Sequence, residues 1–388
     1  VFKVLTLNNI SVAGLDQFPR ESYEIASEIQ HPDAILVRSQ NMHGMHLPDT
    51  VKAIGRAGAG VNNIPVDEMS RCGIPVFNAP GANANAVKEL VLTGMLLGCR
   101  NVCQAREFVQ RLAGDDDTLH KEVERGKKQF RGFELPGHTL GVIGLGAIGV
   151  QVANMALSLG MQVVGYDATM TVERAWQLSA TVQQAGSVDD LLSRSDFVTF
   201  HVPLTDETRH MINASRLQAM KRGVVILNFA RDGIIDNDAL LAAIDENRVY
   251  SYVCDFPSNT LKGSERVIAL PHLGASTNEA EDNCASMVAG QLRAFLEHGT
   301  IRNSVNFPDV DMPDAEGYRL TIVNANVPNM VGQISTDLAN AGLNIIDMLN
   351  KSRGELAYTL VDVSSRVPEA TLRELEAIDG VLAVRTLY

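Results

Sequence analysis

Gly141-Val142-Ile143-Gly144-Leu145-Gly146-Ala147-Ile148-Gly149 carries the pattern on which the reading of this chain turns. In a chain with 31 glycines a Gly-x-Gly-x-x-Gly match says little by itself; its setting says more. An apolar run, Leu140–Ile143, precedes it and a helical run, Val150–Leu159, follows. Strand, glycine turn and helix in that order make a dinucleotide-binding fingerprint. Gly144 permits the tight turn, Gly146 lets backbone approach a pyrophosphate, and Gly149 lets helix and strand pack closely. The helix start, with Ala147 and Ile148, offers free N–H groups and the positive dipole end to phosphates. The next strand ends in Asp167. An acid about twenty residues past the glycines hydrogen-bonds ribose hydroxyls and repels a 2′-phosphate, so NAD is expected rather than NADP. The bland alternative is a glycine turn followed by a capping aspartate.

Working outward, strand candidates at Gln162–Gly165, Phe197–Phe200, Val224–Leu227 and Tyr250–Val253 alternate with helical runs such as Asn237–Asn247, the pattern of a doubly wound sheet. The first eighty residues repeat it, with strands at Lys3–Leu7, Ala34–Val37 and Pro75–Asn78 and a Gly-rich turn at Gly55–Gly60. Asn85 to Gln110 reads as one long helix bridging two domains. Residues 301–317 collect Pro308, Pro313, Asp309, Asp311, Asp314 and Gly317 and read as a linker. The remainder runs strand-helix-strand-strand-helix-strand, a ferredoxin-like unit. The expected fold is therefore α/β, with two doubly wound parallel-sheet domains, one of them Rossmann-type, and a C-terminal βαββαβ domain. Residues 1–84 and 277–300 would form one domain and 85–276 the nucleotide-binding one. The linker 301–317 would lead to a last domain, 318–388.

The bulk numbers narrow the function classes. A net charge of −13 disfavours nucleic acid and anionic membranes as partners. No window offers the ~20 consecutive apolar residues of a membrane span. The opening run Val1–Leu7 reads as a first strand rather than an export signal. Five scattered cysteines without a completing histidine cluster predict reduced thiols, no metal site and a cytoplasmic setting.

Two residues suggest chemistry. Arg231 follows the strand Val224–Leu227, at the end where open sheets bind ligands, and an arginine can grip a carboxylate bidentately. His272 ends the run Val267–Pro271 and is the side-chain type suited to proton exchange near neutral pH. Singly, Arg231 could equally be a surface ion pair and His272 a capping or packed histidine.

Taken together, the motifs resemble the D-2-hydroxyacid dehydrogenases. Leu227-Asn228-Phe229-Ala230-Arg231-Asp232-Gly233-Ile234-Ile235-Asp236 is similar to that family's arginine motif. Pro271-His272-Leu273-Gly274-Ala275-Ser276-Thr277 is similar to its histidine motif, and His201-Val202-Pro203-Leu204 to its turn beside the cofactor. The resemblance implies that Arg231 binds the substrate carboxylate and carbonyl, that His272 is the general acid/base and that Asp255 lies beside the nicotinamide carboxamide. It adds His201, Pro203, Ala230, His272 and Gly274 to the cofactor contacts. One departure stands out: the glutamate that pairs with the family's histidine is replaced, with Asn259 at the best-aligned position.

Within the family, the chain is most similar to phosphoglycerate dehydrogenases. That implies a substrate site from Arg38, Ser39, Arg56, Gly58, Ala59, Gly60 and Asn83, together with Arg231. The tail resembles an ACT domain, in which Asn326 and Asn344 match serine-binding positions and Asn324 stands where histidine is common. Asn329 replaces a usual glycine. The resemblance thus implies NAD-dependent oxidation of D-3-phosphoglycerate, the first step of serine synthesis, in a homodimer or homotetramer open to serine as effector. The alternatives are a reductase of another 2-keto acid (2-oxoglutarate, hydroxypyruvate or glyoxylate) and a catalytically weak NAD and amino-acid sensor.

Overall fold

β1 (Phe2–Leu7), α1 (Val12–Leu15), β2 (Tyr23–Ala26), β3 (Ala34–Val37), β4 (Ala53–Arg56), α2 (Val66–Arg71) and β5 (Val76–Phe77) open the chain in the computed structural model. The structure describes residues 1–313 and 317–387; Asp314 of the expected linker lies outside them. The strands make an all-parallel sheet in the order β2-β1-β3-β4-β5. Parallel strands are buried on both faces, which is why β3 reads Ala-Ile-Leu-Val without a polar residue. Ala34 and Leu36 enter one core and Ile35 and Val37 the other. Gly55 and Arg56, expected in a turn, are the end of β4.

Next come α3 (Ala84–Arg100), α4 (Val102–Arg111) and α5 (Asp116–Gly126). The single helix expected over 85–110 is two helices. Asn101 between them has φ 52°, a left-handed conformation that asparagine tolerates better than most residues. Its Nδ2 donates to the Tyr250 hydroxyl at 2.8 Å, which holds the break.

β6 (Thr139–Ile143), α6 (Ala147–Ser158), β7 (Gln162–Tyr166), α7 (Val172–Gln177), β8 (Gln183–Gln184), α8 (Val188–Arg194), β9 (Phe197–Phe200), α9 (Ala214–Ala219), β10 (Val224–Asn228), α10 (Asn237–Asp245), β11 (Val249–Cys254) and β12 (Val267–Ala269) follow. Their seven strands are parallel, in the order β12-β11-β10-β9-β6-β7-β8. The order of strand addition reverses between β6 and β9, so the crevice of a doubly wound sheet opens at the carboxyl ends of those two. Alternation along β10 feeds two cores, Val224 and Ile226 on one face, Val225 and Leu227 on the other. Side-chain oxygens of Thr171, Ser187, Asn213 and Asp236 cap four of the helices.

α11 (Asn278–His298) returns to pack on β4. The contact depends on Gly55, where a Cβ would lie 2.4 Å from Val288 Cγ1. Residues 84–277 form one compact unit; residues 1–83 and 278–388 form the other. In the latter, β13 (Tyr318–Ala325), α12 (Met330–Asn340), β14 (Ile345–Arg353), β15 (Leu356–Val363), α13 (Glu369–Ala377) and β16 (Val381–Thr386) build an antiparallel sheet ordered β14-β15-β13-β16. One face, with Leu320, Ile322, Val361 and Val363, takes α12 and α13. The other, with Val323, Tyr358 and Leu360, joins the core of Phe295 and Phe307. The segment after α11 is packed, with Ile301, Phe307 and Val310 buried and Ile301 paired to Val310.

Candidate active site

The glycine turn closes because the strand ends hold it. Gly144 has φ 92°, and a Cβ there would lie 2.5 Å from the His201 carbonyl oxygen; at Gly149 a Cβ would lie 1.9 Å from the Gly144 carbonyl oxygen. A Cβ built on Gly146 would meet nothing within 4 Å, so that side of its backbone is open to a ligand. A cavity of about 480 Å³ lies against this turn, lined by Gly144, Gly146, Asp167, His201 and Pro203 among others. The structure therefore brings those five expected cofactor residues together. Ala147, Ile148 and Gly149 form the first turn of α6 instead.

Asp167 holds the turn from the neighbouring strand. One carboxylate oxygen accepts from the Leu145 N–H at 2.7 Å and the other from the Thr169 N–H at 2.7 Å. The second oxygen also accepts from the Thr169 hydroxyl at 3.2 Å, whereas the first keeps a lone pair that a ribose hydroxyl can take. His201 places Nε2 3.1 Å from the Thr199 hydroxyl, while its Nδ1 is buried with no partner in the protein. Burial pushes its pKa down to about 3, so the ring is a neutral donor or acceptor. An open glycine backbone, an acid at the next strand end and an orphaned ring nitrogen in one cavity fit a dinucleotide. Arg174, Met211 and Arg216 also line the cavity; they follow no motif and only the tertiary structure reveals them.

The other expected residues of this unit sit where strands β10, β11 and β12 end. Arg231 is exposed just past β10, its NH1 donating to the Ala230 carbonyl at 2.6 Å, and Asn228 Nδ2 donates to the Arg231 carbonyl at 3.0 Å. His272 is exposed past β12 at φ 57°. Asp255 is almost wholly buried, and its two oxygens accept from the Leu273 and Gly274 N–H groups at 2.8 and 2.7 Å. It therefore fixes the backbone beside His272. Asn259 is exposed, and among the described residues no hydrogen bond joins it to His272.

In the other unit, the loop after β4 is folded against Arg56. A Cβ at Gly58 would lie 2.0 Å from the Arg56 guanidinium, so a side chain there would displace the arginine. Arg56 Nε donates to the Arg38 carbonyl at 3.0 Å, Asn78 Nδ2 donates to the Ala59 carbonyl at 2.6 Å, and Gly60 faces open space. Asn83 carries a buried Oδ1 without a partner. The N–H of Ser39 is already taken by Asn8 Oδ1, and the Arg38 guanidinium is paired with Glu281 of α11. Sequence reasoning did not find Asn8 or Glu281, because each acts across more than thirty residues.

Residues 92–274 match the model of the D-isomer specific 2-hydroxyacid dehydrogenase NAD binding domain. A D-3-phosphoglycerate dehydrogenase of Haemophilus influenzae is 34% identical, covering 87% of this chain and 81% of that protein. The chain belongs to the D-3-phosphoglycerate dehydrogenase family. A second family member, from Methanocaldococcus jannaschii, is 35% identical over 88% of this chain, which spans 64% of that protein. Among solved structures, the NAD+-bound 3-phosphoglycerate dehydrogenase of Entamoeba histolytica is 26% identical, with a TM-score of 0.59 over 79% of this chain and 98% of that one. The apo D-mandelate dehydrogenase of Rhodotorula graminis reaches 0.67 at 25% identity, over 81% of this chain and 99% of that one.

This family member's C-terminal asparagines do not meet within one chain. The register Ala325↔Leu356↔Arg353 puts Asn324 and Asn326 at one end of the sheet, and Ile345↔Val363↔Tyr318 puts Asn344 at the other. Asn326 Nδ2 donates to the Gly354 carbonyl at 3.1 Å, while Asn324 is buried with Oδ1 unpartnered. Asn329 has φ 68°, the left-handed conformation that the usual glycine would adopt.

Proposed function

We propose that this protein oxidises D-3-phosphoglycerate to 3-phosphohydroxypyruvate with NAD, the first step towards serine. The carrying observation is an intact glycine-turn cavity in a chain of this family, with Arg231 and His272 just past the ends of β10 and β12 in the same compact unit. Bound NAD supplies the hydride acceptor. Arg231 holds the substrate carboxylate, since its planar fork suits two oxygens at once. His272 takes the hydroxyl proton as C2 is oxidised and returns it in reduction. Asp167 and the N-terminus of α6 hold the cofactor's ribose and phosphates. Arg38, Arg56 and the Gly58–Gly60 loop are assigned to the substrate's anionic end, where two guanidiniums suit a dianion.

We place the enzyme in the cytoplasm, in keeping with five unpaired thiols and with no helix among the described residues being able to cross a membrane. We assign it two or four copies paired through the nucleotide-binding unit. α4 and α5 bury no residue in their own chain, and α4 exposes Val102 and Val109. Serine is assigned to the C-terminal sheet, where a site using both Asn326 and Asn344 requires two chains.

The test follows NADH absorbance with 3-phosphohydroxypyruvate and, in parallel, 2-oxoglutarate. Turnover of the phosphorylated acid that is lost in His272→Ala and weakened in Arg56→Ala supports the reading. Equal turnover of an unphosphorylated acid, indifferent to Arg56→Ala, would move it to another 2-keto acid. NADH binding without turnover of either would make the protein a sensor.

A further inference from the structure

His272 needs something to orient it, and the side chain expected to do so is absent. Asn259 makes no hydrogen bond to it, and no carboxylate stands in its place as a bonded partner among the described residues. What meets the imidazole is Phe256, its ring centroid 5.2 Å from that of His272 with the planes at 64°, an edge-to-face pair. The meeting follows from topology. β11 and β12 are parallel and pair Cys254 with Ala269, so the residues just past both ends emerge side by side. The preceding residue, Asp255, holds the other side of the same loop through the Leu273 and Gly274 N–H groups, at 2.8 and 2.7 Å. His272 itself sits at φ 57°, a conformation costing about 1–2 kcal/mol for most side chains and kept only where surroundings over-determine it.

We propose that Asp255-Phe256 is a two-part positioning device for His272 that replaces the missing acid. The Asp255 carboxylate fixes the backbone of the loop, and the Phe256 ring fixes the imidazole by aromatic contact. Aromatic pairs of this geometry contribute about 0.5–1.5 kcal/mol, enough to select one ring orientation among a few. This inference rests on His272 being the acid/base, and it makes Phe256 a positioning residue that touches no substrate.

The test is a series at position 256 in the full-length protein, with His272→Ala beside it. Phe256→Leu keeps apolar volume and removes the ring. It is expected to lower kcat about tenfold, the scale of a misplaced proton-transfer group. KM for NADH and the melting temperature should hold, while Phe256→Tyr keeps kcat within about twofold of the parent, because the ring survives. A Leu variant with parental kcat, or one losing kcat, KM and melting temperature together, overturns the proposal. Activity surviving in His272→Ala would instead overturn the reading of His272 on which it rests.

Discussion

His201 shows how a single side chain couples the cofactor cavity to pH. Its pKa falls from 6.5 to about 3 in the folded protein because burial disfavours the charged ring. Between those values the unfolded chain binds a proton that the folded chain does not. The contribution to stability is therefore fully present above about pH 6.5 and is lost as the pH falls towards 3. His201→Gln is expected to flatten the pH dependence of the urea midpoint across that window; an unchanged slope would assign it to other groups. Glu281 poses a question of charge at the same scale. It is paired with Arg38 at about two-fifths exposure on either side, and under the proposed role of Arg38 it would compete with an incoming anion. Half-exposed pairs are worth up to about 1 kcal/mol, so Glu281→Gln should lower KM for the phosphorylated acid about two- to fivefold. A raised KM would show instead that Glu281 orients Arg38.

Elements were legible wherever apolar runs were long or their ends carried strong signals. β3 and β9 lie where the apolar pattern puts them, and the C-terminal elements follow the expected strand-helix-strand-strand-helix-strand order. β2 and β8 gave too little to read. Tyr23–Ala26 is held by pairing with β1 and by the Tyr23 hydroxyl on Glu297 at 2.7 Å, and Gln183–Gln184 has no apolar residue at all. The break at Asn101 was hidden for a related reason, since helical periodicity runs through it and its cause is a partner 149 residues away. Asn329 is the converse, a local irregularity readable as a substitution for glycine. At φ 68° a residue lacking asparagine's tolerance is penalised. Asn329→Ala should therefore cost about 1 kcal/mol in equilibrium denaturation, and Asn329→Gly much less.

At the scale of the compact unit formed by residues 1–83 and 278–388, the C-terminal sheet is fastened by a buried ion pair. Arg319, wholly buried, meets Asp362 through Nε and NH2 at 2.8 Å each and also donates to the carbonyls of His298, Met312 and Pro313. Removing one partner leaves a buried charge alone, which costs about 3–5 kcal/mol, whereas replacing both by apolar residues is often neutral. Arg319→Met should therefore destabilise the protein far more than the double replacement Arg319→Met with Asp362→Leu, as read by urea unfolding. Equal losses would mean that the carbonyl bonds, rather than the pair, do the fastening.

Local physics in the sequence determined the doubly wound class and the nucleotide turn, and placed Arg231 and His272 just past apolar strands. Each depends on residues within a strand-turn-helix reach, where steric limits at glycine and apolar periodicity act directly. The tertiary structure alone decided what those groups touch. It gave Asp255 to the histidine loop, set Phe256 rather than Asn259 against His272, paired Arg38 with Glu281 and separated Asn326 from Asn344. The reason is physical: strand order and register bring together residues far apart in the chain, and one-dimensional spacing carries no record of either.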